Sequence, residues 1–272
     1  MEKLKIALID NLWIFPILLP EVKNKICTKL NIEKSDINNT SITYLTASLY
    51  RSNIANCTLP ILKNQLGLTP ITKDSIYGEY FSIQIKTIFN NAKILNSFQL
   101  PNNIEQWLIE FKKHCDKQEN LNCLNHFLEN AIFLNEVNFR GASHPHFLGT
   151  LFLQVRDNDT LFDFMVSLIH ESAHQELFLL NFVDRLINSQ FDYNLIHAPY
   201  QNKERPPIGR LHSLHALYRM IQFIKIIDPK NENLNFYISK FKLNLNSFMP
   251  GELTEFGCFL REEIYETYTK KI

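Results

Sequence analysis

The segment His170-Glu171-Ser172-Ala173-His174 sets two imidazoles four residues apart, with a carboxylate beside the first. On a helix, residues four apart lie on one face, so both rings can reach one metal ion. Val166, Ile169, Ala173 and Leu177 supply an apolar stripe that favours a helix here. By itself this HExxH pattern points to a zinc peptidase in which Glu171 takes the proton from a metal-bound water. The plainer reading is a helix with two core histidines and a surface glutamate.

A catalytic metal needs a further protein ligand and open positions. A histidine six residues after the motif, preceded by glycine, would mark one zinc class. Here the two diagnostic positions hold Leu177 and Leu180, which excludes it. The nearest downstream acids are Glu176, Asp184, Asp192 and Glu204. The first two share the helix of the motif, and the others fall in a polar loop. None is placed where a buried ligand is expected. A histidine is the better third ligand. His212 and His215 stand three apart in a helical pattern and share a face with Arg219. His212 is preferred and His215 is the alternate.

Four elements in order carry a family resemblance: the HESAH helix, Ala198-Pro199-Tyr200, Arg205-Pro206, and Gly209-Arg210-Leu211-His212. Over about residues 140 to 225 the chain resembles the HExxH-type proteins that modify ribosomally made peptides. That resemblance implies an iron(II)- and 2-oxoglutarate-dependent dioxygenase that hydroxylates a β-carbon of a precursor peptide, with O2 as co-substrate. A radical enzyme acting on the same peptide is a further partner it allows. The chemistry fits, since such an oxygenase needs facial protein ligands and open sites, although two histidines and a carboxylate are the usual set. A planar guanidinium suits the distal carboxylate of 2-oxoglutarate. Arg205 matches the family's Arg-Pro position and is the first choice, with Arg210 and Arg219 in reserve. Under this reading Glu171 orients metal-bound water or a ligand's tautomer. The competing classes are the zinc peptidase and a non-catalytic peptide-binding protein with a vestigial metal site.

The elements that must position these residues are mostly helical. Thr160, with Asp163 three residues later, predicts the start of the motif helix, which could run to about Ile187. Before it, Phe147–Val155 is strand-like. Helices are also predicted over Glu21–Leu30, Ile104–His114, Leu121–Leu134, Gly209–Ile227, Glu232–Phe248 and Glu252–Lys270. Thr40–Gly67 has helical spacing broken by Pro60, and Ile6–Leu19 fits a strand or a buried helix equally. Leu68–Asp74, with Pro70, reads as a loop, and Tyr80–Phe89 as a strand. His144-Pro145-His146 reads as a loop. The expected fold is mainly α with a small β element (α+β), with HExxH on a central helix. One domain is expected over 1–272. Residues 140–228 carry the site, and 1–100 form the less defined portion.

Composition narrows the partners. The 272 residues carry 28 basic and 28 acidic side chains, which leaves no footprint for nucleic acid or an anionic membrane surface. Seven glycines speak against a Gly-rich phosphate loop and against a turn-dense β-barrel. Cys27, Cys57, Cys115, Cys123 and Cys258 form no CxxC pair, so reduced thiols in a cytoplasmic protein are expected. The longest apolar run near the start, Leu12–Leu19, is far short of the roughly 20 residues a span needs.

Overall fold

The computed structural model describes residues 13–30, 40–49 and 68–271, apart from 76, 90, 91 and 136. The expectations for Ile6–Leu12 and for the stretch from Ile54 to Gly67, with Cys57, lie outside these residues. The described chain is mainly helical with a small sheet. No helix among the described residues is long and apolar enough to cross a membrane. The chain divides into two compact units, Leu19–Gln175 and Met1–Leu18 with Glu176–Ile272. Both divisions fall inside helices.

The first unit contains most of α1 (Phe15–Leu30), then α2 (Ile42–Leu49), β1 (Thr69–Ile71), α3 (Gly78–Ile88) and β2 (Lys93–Ile94). Next come α4 (Ile104–Lys117), α5 (Glu119–Phe127), β3 (Asn130–Asn135), β4 (Gly141–Ala142) and β5 (Thr150–Leu153). It ends within α6 (Leu161–Val183). The sheet runs β1-β3-β5-β4. β3 is parallel to β1 and β5, with Ile132 opposite Ile71 and Phe152. β4 turns back antiparallel on β5, and β2 pairs antiparallel with the end of β3. Phe81, Ile85, Ile94, Ile132, Phe147 and Phe152 form a buried core against it.

Three predicted elements change type here. The strand expected at Tyr80–Phe89 is α3. Phe81 and Ile85 are fully buried four residues apart while Ile83 is 41% exposed, which only a helical period produces. The helix expected over Leu121–Leu134 stops at Phe127, and Asn130–Asn135 becomes the central strand. A strand buried on both faces reads as a continuous apolar run, without alternation. The loop expected at Leu68–Asp74 contains β1, which tolerates Pro70 because it lies at the end of the sheet.

The second unit holds the rest of α6 and a hairpin of β6 (Ile196–Ala198) and β7 (Lys203–Arg205). Then follow α7 (Pro207–Ile227), α8 (Leu234–Leu245) and α9 (Glu255–Lys271). Pro207 occupies the first turn of α7, where its missing N–H costs nothing. The expected polar loop is therefore partly a hairpin, whose turn places Asn202 at φ 52.

Candidate metal centre

The motif helix α6 begins as its sequence demands. Asp163 N–H donates to Thr160 Oγ1 (3.2 Å), and the Asp163 carboxylate accepts from Thr160 N–H (3.0 Å). This reciprocal cap satisfies donors at the open end of the helix. The helix ends at Val183, four residues short of the expected Ile187. In the first unit it buries Phe164, Leu168, Ile169 and Ala173. Phe164 packs on Trp107 and Phe133, at 5.4 and 6.5 Å between ring centroids.

Gln175 fixes this part of the helix to the sheet. Its fully buried amide accepts from Gly149 N–H (3.1 Å) and donates to the carbonyls of Phe147 (3.3 Å) and Thr150 (2.9 Å). Gly149 has φ +82, in the region that favours glycine, and turns the chain into β5. The amide holds the His174 turn against the start of that strand.

The helix brings His170, Glu171 and His174 together, with one ligand atom from each within 4.8 Å of the others. His170 Nε2 and His174 Nε2 are 3.0 Å apart. Glu171 Oε1 lies 3.9 Å from His170 Nε2. Burial pushes the His170 imidazole down to about 4, so its ring is neutral at pH 7. Burial pushes the Glu171 carboxyl up to about 8, and the Ser143 hydroxyl offsets only part of this. Glu171 Oε2 is buried with no hydrogen-bond partner. Two imidazole nitrogens 3.0 Å apart, beside a buried carboxyl with one oxygen lacking a hydrogen-bond partner, suit a divalent cation.

A strand edge borders this cluster. A Cβ added to Gly141 on β4 would lie 2.7 Å from Glu171 Oε1, so only glycine lets β4 approach the carboxyl this closely. Next in the chain, His144 caps and His146 lies in a single helical turn over Pro145–Phe147. Their rings meet edge to face at 4.5 Å, and His144 Nδ1 accepts from His146 N–H. Burial, then the neighbouring His146, pushes His144 down to about 4.

The remaining sequence candidates lie in the second unit. His212 is on α7 with its ring 4.8 Å from that of Phe178, and it is not a member of the three-residue cluster. His215 is fully buried, and its Nε2 is 2.7 Å from Glu176 Oε2. Arg219 donates through Nε and Nη2 to the two oxygens of Glu176, at 2.9 and 2.8 Å, and its guanidinium lies over Trp13. Arg210 makes a buried pair with Glu252 (2.6 Å) and also donates to the Ser247 carbonyl, a part-buried contact. The two reserve arginines thus hold structural carboxylates. Arg205, on β7, is half-buried, and its Nε is buried with no hydrogen-bond partner. His197 is exposed on β6.

No family model matches the chain, and no curated protein matches it.

Glu176 is the residue that spacing alone undervalues. It is fully buried and also accepts from Ile14 N–H (2.8 Å). Burial opposes its charge, but Arg219, then His215, outweigh that and hold it at about 2. Its only sequence signal is a charge set among Leu177, Leu179 and Leu180, where an unpaired carboxylate could not stay.

Proposed function

We propose that this protein is an iron(II)- and 2-oxoglutarate-dependent hydroxylase of a ribosomally made precursor peptide. The observation that carries a metal-dependent reading is the meeting of His170 and His174 at 3.0 Å beside Glu171. The oxygenase assignment rests on the resemblance along residues 198–212. His170 and His174 are two ligands in this reading, and His212 is assigned as the third, with His215 as the alternate. Arg205 is assigned to the distal carboxylate of 2-oxoglutarate. The partnerless Nε of Arg205, set against the committed guanidiniums of Arg210 and Arg219, supports that choice.

Iron(II), with 2-oxoglutarate and O2, would supply the oxidation of an unactivated C–H bond. The chain's own task is to hold and orient. The low basicity of His170 keeps its ring unprotonated at neutral pH. Glu171, drawn to its charged form by a nearby cation, accepts a hydrogen bond from a water or peptide N–H at the site. Gln175 keeps the His174 turn in place.

One observation favours a zinc peptidase instead. The buried Oε2 of Glu171 has no hydrogen-bond partner, which leaves it able to take a proton as a general base. The deciding experiment adds Fe(II) and then 2-oxoglutarate anaerobically to metal-free protein and records the visible spectrum. A weak charge-transfer band that requires both additions and disappears in His170→Ala supports the oxygenase. No band, with Zn(II) restoring peptide cleavage that Glu171→Gln abolishes, replaces it with the peptidase.

A further inference from the structure

We propose that the substrate peptide binds as an extended strand along the outer edge of β4, held through the backbone of Gly141. The inference rests on the reading that a peptide is the substrate. β4 is the last strand of the β1-β3-β5-β4 path, and among the described residues none pairs with its outer side. An unpaired edge is a template for another strand.

The register identifies the groups on offer. Gln154 N–H donates to the Arg140 carbonyl at 2.8 Å. Gly141 lies opposite Leu153, and Ala142 opposite Phe152. Hydrogen-bonded and non-bonded pairs alternate along an antiparallel ladder. Arg140 and Ala142 therefore direct their N–H and C=O groups to β5, and Gly141 directs both of its groups outward. Gly141 and Ala142 are half-buried, so this edge meets solvent.

The same residue touches the metal cluster. With no side chain, Gly141 lies against the Glu171 carboxyl, where a Cβ would come within 2.8 Å of Cγ as well as 2.7 Å of Oε1. A strand bonded to Gly141 therefore runs beside Glu171, itself 3.9 Å from His170 Nε2. The grip uses main-chain atoms, so it fixes the peptide's depth and direction while leaving side-chain choice to other contacts. It also presents one side chain in two to each face of the sheet.

The test uses the full-length chain labelled with [15N]glycine and [13C′]arginine. Of the seven glycines, only Gly141 follows an arginine, so a single amide is selected. The probe is a capped hexapeptide of alternating threonine and valine with a terminal lysine. The control is the same peptide N-methylated at every residue, which has no backbone donor. The probe is expected to shift the Gly141 amide proton downfield and slow its exchange about fivefold or more, the worth of one hydrogen bond. Gly149 N–H, already bonded to Gln175, should not respond in a [15N]glycine spectrum. No change at Gly141 up to the solubility limit overturns strand addition, and so does an equal change with the methylated control. The readout is independent of iron. A charge-transfer band without a Gly141 response removes this inference alone. A response without the band leaves it standing and removes the oxygenase.

Discussion

Replacing Arg219 by methionine separates a structural arginine from a ligand-binding one. The guanidinium makes two hydrogen bonds to Glu176, at 2.9 and 2.8 Å, and a third to Gln222 (3.2 Å), with 1% of its surface exposed. Methionine preserves most of the apolar bulk against Trp13. It leaves the Glu176 carboxylate buried with only His215 and Ile14 N–H as partners. Breaking a buried, hydrogen-bonded pair from one side costs about 3–5 kcal/mol, a large part of a total of roughly 5–15 kcal/mol. Urea unfolding of the metal-free protein should show that loss as a lower midpoint with an unchanged slope. Arg219→Met combined with Glu176→Leu should lose less than the sum of the single changes, with a coupling of about 2 kcal/mol or more. The reasoning fails if Arg219→Met costs under about 1 kcal/mol while 2-oxoglutarate binding drops tenfold. Arg219 would then be an arm for the co-substrate, and Glu176 would need another explanation for its burial.

Acid should act through the same carboxylate. Glu176 titrates near 2 when folded and in the ordinary carboxylate range when unfolded. Its contribution is therefore complete above about pH 5 and is lost as pH falls toward 2, by about 3 kcal/mol in total. Glu176→Gln should flatten that limb of a pH–stability curve. Glu171 works in the opposite sense: with its carboxyl raised to about 8, the metal-free protein should lose stability as pH rises from 4.5 through 8. Glu171→Gln should remove this slope, as differential scanning calorimetry at several pH values would record. Gln175→Leu strands the Gly149 N–H and two carbonyls, and should cost about 2–4 kcal/mol by chemical denaturation. Thr160→Ala removes the cap of α6 and should cost about 1 kcal/mol without changing metal affinity at His170 and His174.

The helices with chemical punctuation were legible in the chain itself. Thr160 and Asp163 announce α6, while α7 starts two residues before the expected Gly209, because Pro207 suits the first turn of a helix. The HExxH spacing brings His170 and His174 together because helix geometry is local. The sheet was less legible, because its signals depend on partners far along the chain. Ile132 belongs to an apolar run that suits a helix until β1 and β5 flank it. Phe81, Ile83 and Ile85 alternate like a strand, and only the exposure of Ile83 reveals the period. The role of Glu176 was hidden because it needs Arg219 and His215, some forty residues later, to make its charge tolerable. Gly141 stands in a run of small residues, Gly141-Ala142-Ser143, which gives no sign of what its missing side chain lets approach.

Glu129 has a consequence for the order in which the chain folds. It immediately precedes β3, yet its carboxylate accepts from Ile42 N–H (2.8 Å), Thr43 N–H (3.2 Å) and the Ser41 hydroxyl at the start of α2. An eight-residue helix has almost no stability alone, and here its first turn borrows its acceptor from more than eighty residues away. Closing a loop of that length precedes any reward from the contact. α2 should therefore be a late structure, appearing after β3 has found its neighbours. Its amides should exchange hydrogen with the sheet's cooperative unit, well above the protection that so short a helix would have by itself.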